Sequence, residues 1–192
     1  MILATRNEHK LRELAQVLPG AELRPLPDGV EMPPETGETF AENALIKARA
    51  ACRATGEAAI ADDSGIVVEA LGGRPGVRSA RYAGPGASDE ENLSKLLEEV
   101  SGAADRRAAY VCAIALVTPS GEERVFEGRC EGTLAERPRG EGGFGYDPAF
   151  LPADSGTADA RTMAELSAAE KHAISHRGRA ARRLAEHLGG GA

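Results

Sequence analysis

The sequence predicts an α/β fold on a mixed β-sheet, and three observations carry that prediction. Short apolar, strand-like runs intermix with amphipathic helical stretches along the whole chain. The longest apolar run, residues 108–117, reads as a central strand. A turn at Pro119, Ser120 and Gly121 then returns the chain through residues 124–130 as an antiparallel hairpin partner, which makes the sheet mixed.

The elements follow in chain order. Ile2, Leu3 and Ala4 form a short first strand, and polar Thr5, Arg6 and Asn7 follow it. Leu11, Leu14, Ala15 and Leu18 recur at helical spacing until Pro19 and Gly20 stop the helix. Residues 25–34 read as irregular, broken by Pro25, Pro27, Asp28-Gly29 and Pro33-Pro34. Thr39 and Glu42 form a capping box that starts a second helix, ending near Thr55 and Gly56. Residues 58–61 and 66–68 are strand-like and bracket Asp62, Asp63, Ser64 and Gly65, which read as a loop. A glycine-rich loop covers residues 72–86. Ser88 and Glu91 then cap a helix with Leu93, Leu96, Leu97 and Val100 on one face. After the hairpin comes a long loop, residues 138–152. A last helical region carries Leu166, Ile174, Ala181, Leu184 and Leu188.

Length and composition bound the function. The 192 residues suit a single domain, or one folded body with two lobes. A net charge of -7 disfavours binding to a nucleic-acid polymer. No run approaches a membrane span, and charges at Arg6, Glu8, Lys10, Arg12 and Glu13 come too early for a secretory leader. Three widely spaced cysteines without a CxxC pair read as free thiols in a reducing cytoplasm. Gly140, Gly142 and Gly145 match GxGxxG formally, but Tyr146-Asp147-Pro148 continues as loop where a dinucleotide site needs a helix. The basic residues are 19 arginines and only 4 lysines, at positions 10, 47, 95 and 171, so a retained lysine asks for a reason.

Three polar clusters hold the candidate chemistry. Thr5, Arg6, Asn7, Glu8, His9 and Lys10 stand at a strand end where a helix begins, a setting that attracts anions. Glu35, with Asp62 and Asp63 further on, offers carboxylates to a hard cation such as Mg²⁺. Either aspartate can be ligand or base while its neighbour serves a turn. Glu42 is already the capping acid, and Lys47 has a plain ion-pair partner in it. The third cluster is Phe144, Gly145, Tyr146 and Asp147, with Lys171, His176 and Arg177. An aromatic ring on glycines is a stacking platform for a base, although either ring can equally be a loop anchor. Together they describe a nucleotide site.

These stretches resemble, in order, the inosine triphosphate pyrophosphatase family. They are Ala4-Thr-Arg-Asn-Glu-His-Lys10, Glu35-Thr-Gly-Glu-Thr-Phe-Ala-Glu-Asn43, Ala61-Asp-Asp-Ser-Gly65, Pro75-Gly-Val-Arg-Ser-Ala-Arg-Tyr-Ala-Gly84, Gly142-Gly-Phe-Gly-Tyr-Asp-Pro148 and Ser175-His-Arg-Gly178. The resemblance implies one nucleotide-pyrophosphatase domain over residues 1–192, two-lobed, with a long curved mixed sheet, flanking helices and a central cleft. It implies Mg²⁺-dependent hydrolysis of ITP, dITP and XTP to the monophosphate and pyrophosphate, by a cytoplasmic homodimer. By motif position, Asp63 is the general base and a metal ligand, and Glu35 the other ligand. Thr5, Arg6, Asn7, Glu8, His9, Lys10 and Ser64 hold phosphates. Phe144, Gly145, Tyr146, Asp147, Lys171, His176 and Arg177 hold base, sugar and phosphates. Arg6 stands where many members have glycine, and His172 where asparagine is frequent. Two other readings stay open: a non-catalytic purine-nucleotide sensor, and a pyrophosphatase for other modified nucleotides.

Overall fold

The computed structural model describes residues 1–6, 14, 18, 22–155 and 161–189. Six strands form one sheet in the order β2-β1-β3-β4-β5-β6, with β1 Ile2–Leu3, β2 Arg24–Pro25, β3 Ala59–Val68, β4 Arg107–Val117, β5 Glu123–Leu134 and β6 Phe150–Pro152. β1 runs parallel to β2 and β3, with Ile2 opposite Ala59 and Leu3 opposite Ile60. β6 is antiparallel to β5, so the sheet is mixed as expected. The tight turn after β4, with Thr118 N–H bonded to Glu122 O at 3.0 Å, makes β4 and β5 a hairpin.

Four described α-helices flank the strands: α1 Phe40–Thr55, α2 Asp89–Glu99, α3 Ala168–Ile174 and α4 His176–Gly189. The Thr39/Glu42 capping box closes α1 at one end and left-handed Gly56 at the other. Ser88 and Glu91 do the same service at the start of α2. The expected helix around Leu11 and Ala15 lies outside the described residues, apart from Leu14, which is helical and buried, and Leu18, which bonds back to it. Among the described residues, no helix is long and apolar enough to cross a membrane.

The structure corrects the sequence at several places. Asp62, Asp63, Ser64 and Gly65 are not a loop but the middle of one continuous strand, β3. β2 ends on Pro25, the first residue of the stretch read as irregular, and β6 closes the long loop of residues 138–152. Pro25 is tolerated in β2 because that strand lies at the sheet edge. A 3₁₀ turn, Glu69–Leu71, leads into the glycine-rich loop, and a second, Gly76–Arg81, lies within it. The last helical region is two helices preceded by a 3₁₀ turn, Met163–Glu165, that ends before Leu166.

The chain divides into two compact units. The first comprises Met1–Asp63, Cys112–Gly128 and His176–Ala192, and the second Ser64–Val111 and Arg129–Ser175. In the first unit the sheet buries both faces. Ala59 and Ala61 of β3 join Ala113, Ala115 and Val117 of β4 against Ala44, Ala48 and Ala51 of α1. Ile60, Cys112, Ile114 and Leu116 point the other way, onto Ala180, Ala181 and Leu184 of α4. Strand alternation with helices on both faces explains why β4 reads as an unbroken apolar run. The second unit packs Ile66, Val68, Leu93, Leu96, Tyr110, Phe150 and Met163 into one core.

Candidate functional site

Alternation along β3 decides where its two aspartates point. Residues 59 and 61 face α1, so Asp63 does as well, and its carboxylate meets two residues of that helix. Asn43 Nδ2 donates to Asp63 Oδ2 at 3.1 Å, and Lys47 Nζ lies 3.8 Å from Asp63 Oδ1. Asp62 faces α4 with Ile60, and there Arg177 Nε stands 3.4 Å from Asp62 Oδ2. Both members of that pair are buried, Asp62 at 1% exposure and Arg177 at 3%. The two carboxylates thus serve opposite faces of one sheet.

Glu35 reaches the Asp63 side from the segment preceding α1. Lys47 Nζ donates to Glu35 Oε1 at 2.6 Å, so the ammonium contacts both Glu35 and Asp63. It does not pair with Glu42, whose carboxylate accepts the N–H groups of Glu38 and Thr39 as helix cap. Asn43 ties the segment to the strand: its Oδ1 accepts Gly37 N–H at 2.8 Å while its Nδ2 holds Asp63. A Cβ on Gly37 would come within 2.6 Å of Glu42 Cβ, so only glycine allows this approach. Burial disfavours the Lys47 ammonium, but the charges of Asp62 and Asp63 and the bond to Glu35 outweigh it and hold its pKa above the ordinary lysine value.

The donor set fits a hard divalent cation. Glu35 and Asp63 present carboxylate oxygens to one shared cationic seat, which an ammonium fills. Among the described residues, no group of three His, Cys, Asp or Glu side chains is arranged for a metal. Two carboxylates, with water or substrate oxygens completing the shell, match the habits of Mg²⁺.

The remaining residues divide by unit. Thr5 is half-buried just beyond β1, its N–H bonded to Leu3 O at 3.0 Å, and exposed Arg6 donates to Val30 O at 2.8 Å. Asn7, Glu8, His9 and Lys10 lie outside the described residues. His176 and Arg177 begin α4 and are buried.

In the second unit, Asp147 is 4% exposed and accepts from three groups. Tyr110 Oη reaches its Oδ1 at 3.0 Å, while Phe144 N–H at 3.0 Å and Lys171 Nζ at 2.8 Å share its Oδ2. Lys171 Nζ also lies 4.8 Å from the Phe144 ring centroid, a cation–π contact. Asp147 therefore organises the loop and its lysine. Tyr146 is an anchor: its ring joins the core and its hydroxyl donates to Ser79 O at 2.7 Å. Burial, with Tyr82 and Asp89 nearby, pushes its pKa well above the ordinary tyrosine value. Gly145 takes a left-handed φ of 61° and donates its N–H to Asp89 Oδ2 at 2.8 Å. Ser64 opens this unit, half-buried in β3.

Sequence reasoning gave no role to Asn43, Ser79 or Tyr110. Asn43 and Lys47 are one turn apart on the α1 face that buries Ala44, Ala48 and Ala51, so helical periodicity carried a usable signal. Ser79 had none: its hydroxyl accepts Ile66 N–H at 2.9 Å and fills the space that a Cβ on Gly65 would need.

Known proteins resemble the chain over nearly its whole length. A dITP/XTP pyrophosphatase of Geobacter sulfurreducens is 50% identical over 196 residues, spanning 98% of this chain and 96% of that protein. One from Frankia alni is 55% identical over 96% of this chain and 95% of its own. A HAM1 protein from Coxiella burnetii superposes with a TM-score of 0.89 at 43% identity, covering 98% of each chain. A nucleoside-triphosphatase, or dITP/XTP pyrophosphatase, from Mycobacterium abscessus superposes at 0.78 with 50% identity, covering 95% of this chain and 97% of its own. The Ham1 family model matches residues 1–187, and the chain belongs to the Ham1 family.

Proposed function

We propose that the protein is a nucleoside triphosphate pyrophosphatase that hydrolyses non-standard purine nucleotides, ITP, dITP and XTP, to the monophosphate and pyrophosphate. The observation that carries this reading is the convergence of Glu35 and Asp63 on one cationic seat, in a chain about half identical to dITP/XTP pyrophosphatases. Asp63 is the general base: Asn43 orients its carboxylate, which takes a proton from the water attacking the α-phosphorus. Glu35 and Asp63 hold Mg²⁺. When bound, the ion supplies positive charge that neutralises the departing pyrophosphate.

Thr5, Arg6, Asn7, Glu8, His9, Lys10 and Ser64 bind phosphates. Phe144 offers its ring to the base, on a loop that Gly145, Tyr146 and Asp147 hold in shape. Lys171, His176 and Arg177 bind base, sugar or phosphate. Donors aimed at a 6-keto oxygen would be left unpaired by a 6-amino group, at about 1–3 kcal/mol each, so adenine nucleotides are poor substrates. The protein works in the cytoplasm, as a homodimer.

Product analysis tests the reading. With Mg²⁺, each dITP or XTP consumed should yield one monophosphate and one pyrophosphate, with ATP turned over far more slowly. Inorganic phosphate with accumulating diphosphate would refute cleavage at the α–β bond. Asp63→Asn should lower kcat by about 10²–10⁴-fold while nucleotide binding persists, the range expected for loss of a general base.

A further inference from the structure

Lys47 occupies a place that the proposed chemistry assigns to a metal. Its Nζ is 2.6 Å from Glu35 Oε1 and 3.8 Å from Asp63 Oδ1, and its side chain is only 13% exposed. Two carboxylates drawn together at this depth repel unless a cation lies with them. An oxygen that accepts an ammonium proton at 2.6 Å cannot at the same time give that lone pair to a metal at about 2.1 Å. Lysine is also the apt residue for a bond that must open. Its compact charge rides on a flexible four-carbon stem, whereas an arginine fork would clamp a carboxylate by two parallel bonds. In a chain with 19 arginines and 4 lysines, that choice is informative.

We propose that Lys47 is a resident counter-cation of the Glu35–Asp63 pair, holding both carboxylates in the metal-free protein and yielding Glu35 Oε1 when a divalent cation enters. The inference rests on the metal ligands assigned under the proposed function. It fixes two effects of opposite sign. Removing the ammonium destabilises the metal-free protein, because the buried Asp63 carboxylate and the partly exposed Glu35 carboxylate lose the positive charge between them. The same change strengthens metal binding, because nothing has to be displaced and one like charge is gone. A lysine with a purely structural role would give the first effect without the second.

The test uses Mn²⁺ as a paramagnetic probe, titrated without nucleotide into the wild type, Lys47→Met and Lys47→Arg. Free ion is read by electron paramagnetic resonance and stability by thermal melting. Lys47→Met should melt below wild type without metal and bind Mn²⁺ at least about tenfold more tightly, a modest share of the repulsion between neighbouring charges near a protein surface. The gap in melting temperature should close as Mn²⁺ saturates. Lys47→Arg, which keeps the charge, should bind Mn²⁺ no more tightly than wild type. If Lys47→Met fails to fold alone, refolding in Mn²⁺ should restore it.

Equal or weaker Mn²⁺ binding by Lys47→Met overturns the inference. So does a melting gap that persists at saturation, a failure of Mn²⁺ to rescue folding, or no saturable Mn²⁺ binding by any of the three proteins. Tighter binding by Lys47→Met, in a protein whose wild type leaves dITP and XTP intact, supports the inference and refutes the proposed function alone.

Discussion

Asp62 and Asp63 are adjacent in sequence and opposite in surroundings, because strand alternation sends one to α4 and the other to α1. Asp62 is 1% exposed and its partner Arg177 is 3% exposed, so neither charge has bulk water to fall back on. Asp62→Ala takes the carboxylate away from a buried guanidinium, and breaking a buried pair in this way costs about 3–5 kcal/mol. Urea denaturation should show that loss as a lower midpoint. Replacing both partners, Asp62→Leu with Arg177→Met, should recover much of it, since the buried positive charge goes too. A single variant with wild-type stability would mean that the pair is not the anchor of α4's first turn. Asp147 illustrates a limit of reading residues singly. A carboxylate beside Phe144 invites a role in recognising a base, yet its oxygens are engaged by Tyr110, Phe144 and Lys171.

At the scale of elements, α1 was legible and β3 was not, for one physical reason. The Thr39/Glu42 capping box and the Gly56 stop are local bonds between residues near in sequence, so the chain declares them. β3 carries two aspartates, a serine and a glycine at its centre, a composition that reads as a turn. What keeps it a strand is non-local. Asn43 holds Asp63 from 20 residues away, Ser79 holds Ile66 from 13, and Arg177 meets Asp62 from 115. The polar motifs themselves were readable, but the division of Asp62 from Asp63 required knowing which helix covers which face. β2 and β6, of two and three residues, are too short to show a period at all. The seat of α4 on β5 is equally non-local. A Cβ on Gly128 would lie 2.0 Å from His176 O and 2.6 Å from Ala180 N, so the helix start rests directly on a bare strand backbone. Gly128→Ala must push that start away, carrying His176 and Arg177 with it, and overpacking of this kind costs about 1–3 kcal/mol. Thermal melting should record the loss, and the rate with dITP should fall further than stability alone explains. A fully active Gly128→Ala would remove the α4 start from the substrate-binding set.

At the scale of the whole molecule, several arginines stand in exposed ion pairs, and these set how the protein meets acid. Arg107 depresses Asp105 through a side-chain hydrogen bond, to about 2. Arg161 does the same to Glu170, also to about 2, with Ser167 assisting. Arg49 lowers Glu123, and the cap N–H groups lower Glu91 and Glu165. Each of these carboxyls has a folded pKa below its unfolded one, so its contribution is complete above the ordinary carboxylate range, near 4. It is lost as pH falls from there toward 2. Lys47 has the opposite sign: its pKa is raised, so its contribution is complete below the ordinary lysine value and is lost only in strong alkali. The melting temperature should therefore hold steady across neutral pH and decline through the acid carboxylate range. The acid-sensitive carboxylates are solvent-exposed, so counter-ions reach them and each pair contributes little alone. Raising the salt concentration at neutral pH should weaken these pairs and shrink the acid-dependent part of the decline. Circular-dichroism melts from pH 2 to 8, at low and at high salt, separate the two influences. A melting temperature unchanged down to pH 2, or an acid decline that salt leaves untouched, would show that the surface pairs do not set the acid response.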